Sequence, residues 1–156
     1  MPFAFRSDNP RTDAWRAHIK DFLGKRIEDY YIGVDNDGQF TNMFEQGVVA
    51  ANQFWERGIQ ATAVIAFNDE MALGFYKQIR KLGVKVPEDL SIISYDGTYS
   101  RRYVDMELTA LALNARLQGQ KCMDVLWKMI QGEKYKYVTR IPLKIIEGES
   151  VKNIHH

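Results

Sequence analysis

Two short apolar runs flank one helical pattern in the centre of the chain. Residues 62–67 and 90–95 are nearly continuous apolar segments, which is typical of strands buried on both faces of a parallel sheet. Between them Gly83 ends the helical pattern, and Pro87 prevents its resumption. The helical spacing is carried by Ala72, Phe75, Ile79 and Leu82. This stretch therefore predicts a right-handed strand, helix, strand unit with two parallel strands.

Similar patterns predict further elements on both sides of this unit. Asn42 and Glu45 are spaced as a capping box at the start of one helix, which Gly58 ends. Apolar periodicity predicts helices over residues 12–23, 42–58 and 114–131, and strands over residues 29–34, 108–113 and 137–146. Helices that alternate with buried strands predict an α/β protein built on a parallel sheet.

Polar residues stand where two neighbouring strands of this sheet end. Asn68 and Asp69 follow the first apolar run, and Asp96 with Gly97 follows the second. Open α/β sheets bind ligands at the carboxyl ends of their strands, so these side chains predict a binding crevice. An alternative is that Asn68 or Asp69 only caps the next helix. Asp96 is followed by no helical pattern, which favours a ligand role for it.

Composition and charge indicate a single compact domain without a DNA-binding surface of its own. The chain has 156 residues, of which 46% are hydrophobic, and its formal net charge is +1. A nucleic-acid site normally shows a clustered basic surface, which is absent. One cysteine, Cys122, excludes an internal disulfide, and no signal peptide or membrane span is found, so we expect a cytoplasmic protein. His155 and His156 are consistent with a tag remnant.

The sequence lacks the motifs of an enzyme or a metal site. It contains no GxxxxGK, GxGxxG, GxSxG or HExxH motif. Residues 35–38, DNDG, fail the register of a calcium loop, and His18 has no second histidine four residues on. We therefore expect no metal, no cofactor and no catalysis. An acid and base pair of Asp69 and Asp96 is the remaining enzymatic alternative.

The run FNDEMALGFYKQIRKLGVKVPEDLSIISYDG, residues 67–97, resembles the signature of the LacI/GalR family of bacterial transcription regulators. Weaker similarity surrounds it, at Arg11 with Ala14 and Trp15, at LTAL from Leu108, and at IPLKIIEGESV from Ile141. The resemblance implies the C-terminal subdomain of a type I periplasmic-binding-protein-like fold, a three-layer α/β/α structure with a parallel sheet. It also implies that the chain is truncated at its N-terminus relative to a whole repressor.

The resemblance implies an effector site at the predicted crevice. Arg11 matches the family's effector-binding arginine, whose planar fork can bind two oxygens at once. An aromatic residue packs on the effector in the family, and Phe40 matches best, with Asn42 and Phe44 as competitors. Asn114 stands where the family often has a glutamine contact, and it can equally cap the helix that follows. The effector-binding prediction comprises Arg11, Asn68, Asp69, Asp96 and Phe40, with Arg6, Trp15, Asn42, Phe44 and Asn114 as secondary candidates.

The resemblance also implies partners and a division of the chain. Residues 1–154 would form an effector-binding and dimerisation domain, in which the helix over residues 113–131 packs in the family on the other subdomain. Its apolar residues would then face water, so we expect self-association or repacking of this helix on its own sheet. The expected partners are a sugar or sugar phosphate effector, a second copy in a homodimer, and operator DNA through a headpiece outside this chain. The alternative function is a stand-alone sugar-binding protein of a transport system.

Overall fold

The computed structural model describes residues 10–34 and 42–154 of the chain. Helices and strands alternate along most of its length, as the periodicity predicts. The helices are α1 (Pro10–Leu23), α2 (Met43–Glu56), α3 (Asp69–Lys81) and α4 (Ala115–Ile130), with two 3-10 helices at Gly24–Tyr30 and Tyr99–Arg102. The strands are β1 (Ala63–Ile65), β2 (Ser91–Asp96), β3 (Thr109–Ala112) and β4 (Lys144–Ile146).

The four strands form one mixed sheet in the order β1-β2-β3-β4. β1, β2 and β3 are parallel, with Val64 opposite Ile92 and Tyr95 opposite Leu111. β4 pairs antiparallel with β3 and is much shorter than the predicted strand over residues 137–146. The α/β class and the central parallel unit are confirmed, and the carboxyl ends of β1 and β2 lie side by side.

The predicted strand over residues 29–34 is wrong. Residues up to Tyr30 lie in a 3-10 helix, and residues 31–34 adopt no regular structure. The guanidinium group of Arg57 donates to the carbonyl oxygens of Glu28, Asp29 and Tyr31, at 3.1, 3.0 and 2.8 Å. A side chain therefore satisfies carbonyls that a neighbouring strand would otherwise pair. The apolar residues of this segment, Ile32 and Val34, are still buried.

Two glycines allow α2 and α3 to pack backbone against backbone on one face of the sheet. A Cβ atom added at Gly47 would lie 2.1 Å from the carbonyl oxygen of Met71, and one at Gly74 would lie 1.9 Å from that of Phe44. The helices bury Phe54 against Phe75 in an edge-to-face contact with centroids 5.8 Å apart. This layer, with the sheet face beneath it, holds most of the hydrophobic core.

α4 has no buried residue and lies away from this core. Asn114 caps it, because its side-chain oxygen accepts the amide hydrogen of Leu117 at 3.0 Å. Most of its large apolar side chains are exposed, namely Met123, Leu126, Trp127, Met129 and Ile130. The helix does not repack on the sheet of its own chain, so that alternative is wrong. Self-association stays a prediction.

Candidate functional site

Arg11, at the start of α1, reaches the carboxyl ends of two adjacent strands. Its guanidinium donates to the carbonyl oxygen of Phe67 at 2.8 Å and to Oδ1 of Asp96 at 3.4 Å. The same group lies over the rings of Phe67 and Tyr95, 4.9 and 4.6 Å from their centroids. Aromatic faces attract the guanidinium cation, and the hydrogen bond to the carboxylate of Asp96 orients it. About a third of the Arg11 side chain stays exposed, so this guanidinium is oriented yet open to solvent.

Asn68 directly follows Phe67, whose carbonyl oxygen accepts a hydrogen bond from Arg11. Its Oδ1 accepts the amide hydrogen of Met71 at 2.8 Å and caps α3. The alternative of a capping role is thus observed. Capping uses the carbonyl oxygen, whereas the two hydrogens of the side-chain amide are the donors that a hydroxyl or phosphate oxygen would need. The structure pairs Arg11 with Asp96 at one edge of the sheet, and the contribution of Asn68 to an effector site stays a prediction.

Asp96 ends β2 in a backbone conformation that side-chain-bearing residues rarely adopt. Its φ is 90°, and the following Gly97 has a φ of 64°. A Cβ atom at Gly97 would lie 2.7 Å from Cβ of Ala112, so only glycine fits there. Strain of this kind costs about 1–3 kcal/mol and is concentrated at binding sites. The turn directs the carboxylate of Asp96 towards Arg11.

The structure buries Asp69, which the sequence predicts to contact the effector. Its side chain is 3% exposed, and its carboxylate is engaged on both oxygens. Oδ1 accepts from the hydroxyl group of Ser94, while Oδ2 accepts from the amide and the hydroxyl group of Thr98. Because burial and these donors close the carboxylate to a ligand, the expected direct contact is corrected.

An apolar cavity of about 340 Å³ adjoins the Arg11 side chain, between α1 and the sheet face opposite the main core. Trp15 lines it together with Tyr95 and Leu111, so this secondary candidate belongs to the wall beside Arg11. The indole Nε1 of Trp15 is buried without a hydrogen-bond partner among the described residues. The volume falls in the lower part of the range of small-molecule sites.

The other secondary candidates that the structure describes, Asn42, Phe44 and Asn114, have roles elsewhere in the fold. Asn42 caps α2 by accepting the amide hydrogen of Glu45 at 2.9 Å, as the capping box predicts. Phe44 lines a different surface pocket with Leu73 and Tyr103, beneath the ammonium group of Lys77. Asn114 caps α4. Phe40 and Arg6 lie outside the described residues.

Sequence reasoning missed the aromatic pair that holds the arginine. Phe67 and Tyr95 each directly precede a predicted polar residue, and both point to the sheet face that α1 covers. Their positions in two neighbouring parallel strands were the available signal, because residues at equivalent strand ends lie side by side. The apolar pattern alone assigns both residues to buried strands.

A polar cluster connects α3 with the loop that follows β2. The hydroxyl group of Tyr76 donates to Oδ1 of Asp105 at 2.7 Å, and Arg80 forms an ion pair with the same carboxylate. Burial and the hydrogen bond to Asp105 raise the pKa of Tyr76 to about 12. The hydrogen bonds from Tyr76 and then Arg80 lower the pKa of Asp105. Earlier in the same loop, buried Arg101 donates to the carbonyl oxygen of Leu108 at 2.8 Å.

Within residues 10–34 and 42–154, no group of three acidic, histidine or cysteine residues is placed to hold a metal ion. In the same part of the chain, no helix combines the length and apolar character needed to cross a membrane.

Comparison with known proteins places the site in context. The model of the periplasmic-binding-protein-like domain family matches residues 6–151. The chain is 32% identical over 112 residues to the HTH-type transcriptional repressor PurR of Vibrio atlanticus (strain LGP32), covering 71% of this chain and 34% of that protein. It is 30% identical over 116 residues to the lactose operon repressor of Escherichia coli (strain K12), covering 74% of this chain and 32% of that protein.

A solved structure agrees in fold. A LacI family transcriptional regulator from Arthrobacter sp. FB24, in complex with lactose, superposes with a TM-score of 0.79 at 22% identity, covering 97% of this chain and 57% of that one. At this identity the likeness shows the fold alone. The chain spans about a third of the length of the two curated repressors. The resemblance predicted from residues 67–97 is confirmed.

Proposed function

Because the chain belongs to the family of periplasmic-binding-protein-like domains, we propose that it is the effector-sensing lobe of a LacI-type transcription regulator. Its relatives are transcriptional repressors rather than enzymes. Residues 1–154 form the effector-binding and dimerisation unit in this proposal, and α4 packs on the rest of the regulator. The regulator acts in the cytoplasm, on operator DNA.

The observation that carries the proposal is the convergence of Arg11, Asn68 and Asp96 at the carboxyl edge of the sheet. Arg11 contacts the carbonyl group of Phe67 and the carboxylate of Asp96, which come from β1 and β2 ends. A guanidinium, a side-chain amide and a carboxylate together offer donors and an acceptor for a sugar or sugar phosphate. The adjoining aromatic rings suit the apolar face of a sugar.

Effector binding would control DNA binding by shifting the equilibrium between two states of the homodimer. A ligand can shift such an equilibrium only if it binds one state more tightly than the other. The rest of the regulator would supply the opposite wall of the site. If this wall closes on the ligand in one state only, the ligand binds that state more tightly. DNA recognition belongs to a separate headpiece, so this chain alone is expected not to bind operator DNA.

The test uses the complete regulator, fluorescently labelled operator DNA and a panel of sugars and sugar phosphates. We expect at least one compound to change the affinity for DNA tenfold or more, and Asp96→Asn to abolish the response without lowering affinity in the absence of the compound. Asp89→Asn is the matched control, since this carboxylate accepts the amide hydrogen of Lys85 in a turn. A response unaltered by Asp96→Asn would contradict the assignment of the site.

The rival function, a stand-alone binding protein of a transport system, makes a different prediction. Such a protein would bind sugar with no operator DNA in its cycle, and the complete gene would encode a secretory signal. An enzyme would instead turn over the compound that it binds. Binding without turnover, coupled to DNA release or capture, is the outcome that only the regulator produces.

A further inference from the structure

The buried carboxylate of Asp69 accepts hydrogen bonds from residues before and after Asp96 in the chain. Ser94, two residues before Asp96, donates its hydroxyl hydrogen to Oδ1 of Asp69 at 2.5 Å. Thr98, two residues after Asp96, donates both its amide hydrogen and its hydroxyl hydrogen to Oδ2. Ser94 has no exposed surface, and Asp69 has almost none. One carboxylate on α3 therefore ties the end of β2 to the loop that follows it.

The segment between these two attachments has an unfavourable backbone. Asp96 and Gly97 are both in the left-handed region, with φ values of 90° and 64°. A residue with a side chain keeps such a conformation only when its surroundings enforce it. Hydrogen bonds to an ionised carboxylate are among the stronger ones available in a protein. The position of Asp69 at the start of α3 also favours its negative charge.

We propose that Asp69 is a positioning residue of the effector site, which acts through Ser94 and Thr98 to hold the carboxylate of Asp96 against Arg11. That Asp69 serves an effector site rests on the proposed function. That Asp69 holds Asp96 against Arg11 concerns only the unliganded chain. It gives Asp69 a role distinct from a helix cap, because Asn68 already caps α3. The specificity of the site then depends on a residue that no ligand touches.

The first experiment needs no ligand and uses nuclear magnetic resonance on the 156-residue chain. In Asp69→Asn one of the two accepting oxygens is replaced by an amide nitrogen, so Ser94 and Thr98 can no longer both donate to this side chain. We expect hydrogen exchange at the Thr98 amide to accelerate tenfold or more, with the interior of β1 and α3 unchanged. We also expect the Arg11 Nε–H signal to move towards its position in Asp96→Asn.

Three matched variants separate positioning from general stabilisation. Thr98→Ser keeps the hydroxyl group and should behave as the unmodified chain, whereas Thr98→Val should show part of the Asp69→Asn effect. Asp89→Asn removes a carboxylate that holds a different turn amide and should leave the Arg11 signal in place. An unmoved Arg11 signal in Asp69→Asn, or uniformly faster exchange throughout the chain, would overturn the proposal.

A second experiment measures lactose binding to the complete regulator by calorimetry. If lactose binds, Asp69→Asn should weaken its binding tenfold or more, while Thr98→Ser and Asp89→Asn should change it less than threefold. Unchanged affinity in Asp69→Asn would overturn the positioning role. If no binding is seen with the unmodified regulator, that result counts against a sugar effector of this kind, and the ligand-free signals still decide the role of Asp69.

Discussion

Arg11 joins the two strand ends of the candidate site, because its guanidinium donates to the carbonyl oxygen of Phe67 and to the carboxylate of Asp96. The sequence predicted Asn68 and Asp96 at one edge, because parallel strands align their carboxyl ends, and the family resemblance added Arg11. The same reasoning could not separate Asp69 from Asn68, since adjacent polar residues at a helix start look alike in a sequence. Only the fold shows that one is buried beneath Thr98 while the other caps α3 beside Arg11.

Replacement of Arg11 by lysine should impair effector binding although the charge is retained. Lysine has no planar fork to contact both the Phe67 carbonyl group and Asp96, and it stacks less well on two rings. Loss of one charge-assisted hydrogen bond costs about 1.5–3 kcal/mol, so affinity should fall by at least tenfold. Calorimetry on the complete regulator measures this change. Arg16→Lys, on the outer side of α1, is the control, and equal effects of the two variants would contradict the assignment.

Tyr76 should ionise at a higher pH than an ordinary tyrosine. Its folded pKa, about 12, lies above the ordinary value near 10 because the side chain is buried and bonded to Asp105. A raised pKa means that its stabilising contribution is complete below pH 10 and is lost as pH rises towards 12. Absorbance titration should show a late phase that Tyr76→Phe removes. Persistence of that phase in Tyr76→Phe would refute the assignment.

At the scale of whole elements, local signals predicted the helices better than the strands. Caps at Asn42 and Asn114 act within one turn of chain, so sequence alone reveals them. Strands depend on distant partners. The segment at 31–34 has strand-like alternation, but it pairs with no strand of the described sheet, and Arg57 binds the carbonyl oxygen of Tyr31 at its start. The final strand is likewise shorter than predicted. Only Lys144–Ile146 pair with β3.

The contact of α2 with α3 predicts opposite outcomes for two glycine substitutions. Alanine stabilises an exposed helix interior by about 1 kcal/mol relative to glycine. Gly119, in α4, has nothing within 4 Å of an added Cβ atom, so Gly119→Ala should stabilise by up to that amount. Gly74→Ala should instead destabilise by about 1–3 kcal/mol, because the Cβ atom meets the backbone of Phe44. Chemical denaturation measures both, and similar effects would disprove the close packing.

The molecule as a whole has two unequal parts. One is a packed α/β core, and the other is the amphipathic helix α4, which has no buried residue. The sequence predicted the exposure of α4 only through the family resemblance, because periodicity shows an apolar face without saying what covers it. In the described part of the chain nothing buries that face. A surface of this kind normally marks an interaction site.

The 156-residue chain is therefore expected to self-associate through α4. Burial of an isoleucine contributes about 1.5–3 kcal/mol, so Ile130→Glu should weaken association at least tenfold. Trp55→Glu, at an exposed apolar residue on α2, is the control. Sedimentation velocity distinguishes an 18.1 kDa monomer from larger species. A monomeric unmodified chain, or equal effects of both variants, would contradict this expectation.

The most direct test of the account is a crystal structure of the complete regulator with the sugar or sugar phosphate that most raises its melting temperature. The account predicts that oxygens of the ligand lie within hydrogen-bonding distance of Arg11, Asn68 and Asp96, with Asp69 still bonded to Thr98 and out of contact. A ligand bound elsewhere, with the Arg11 guanidinium facing only solvent, would contradict it.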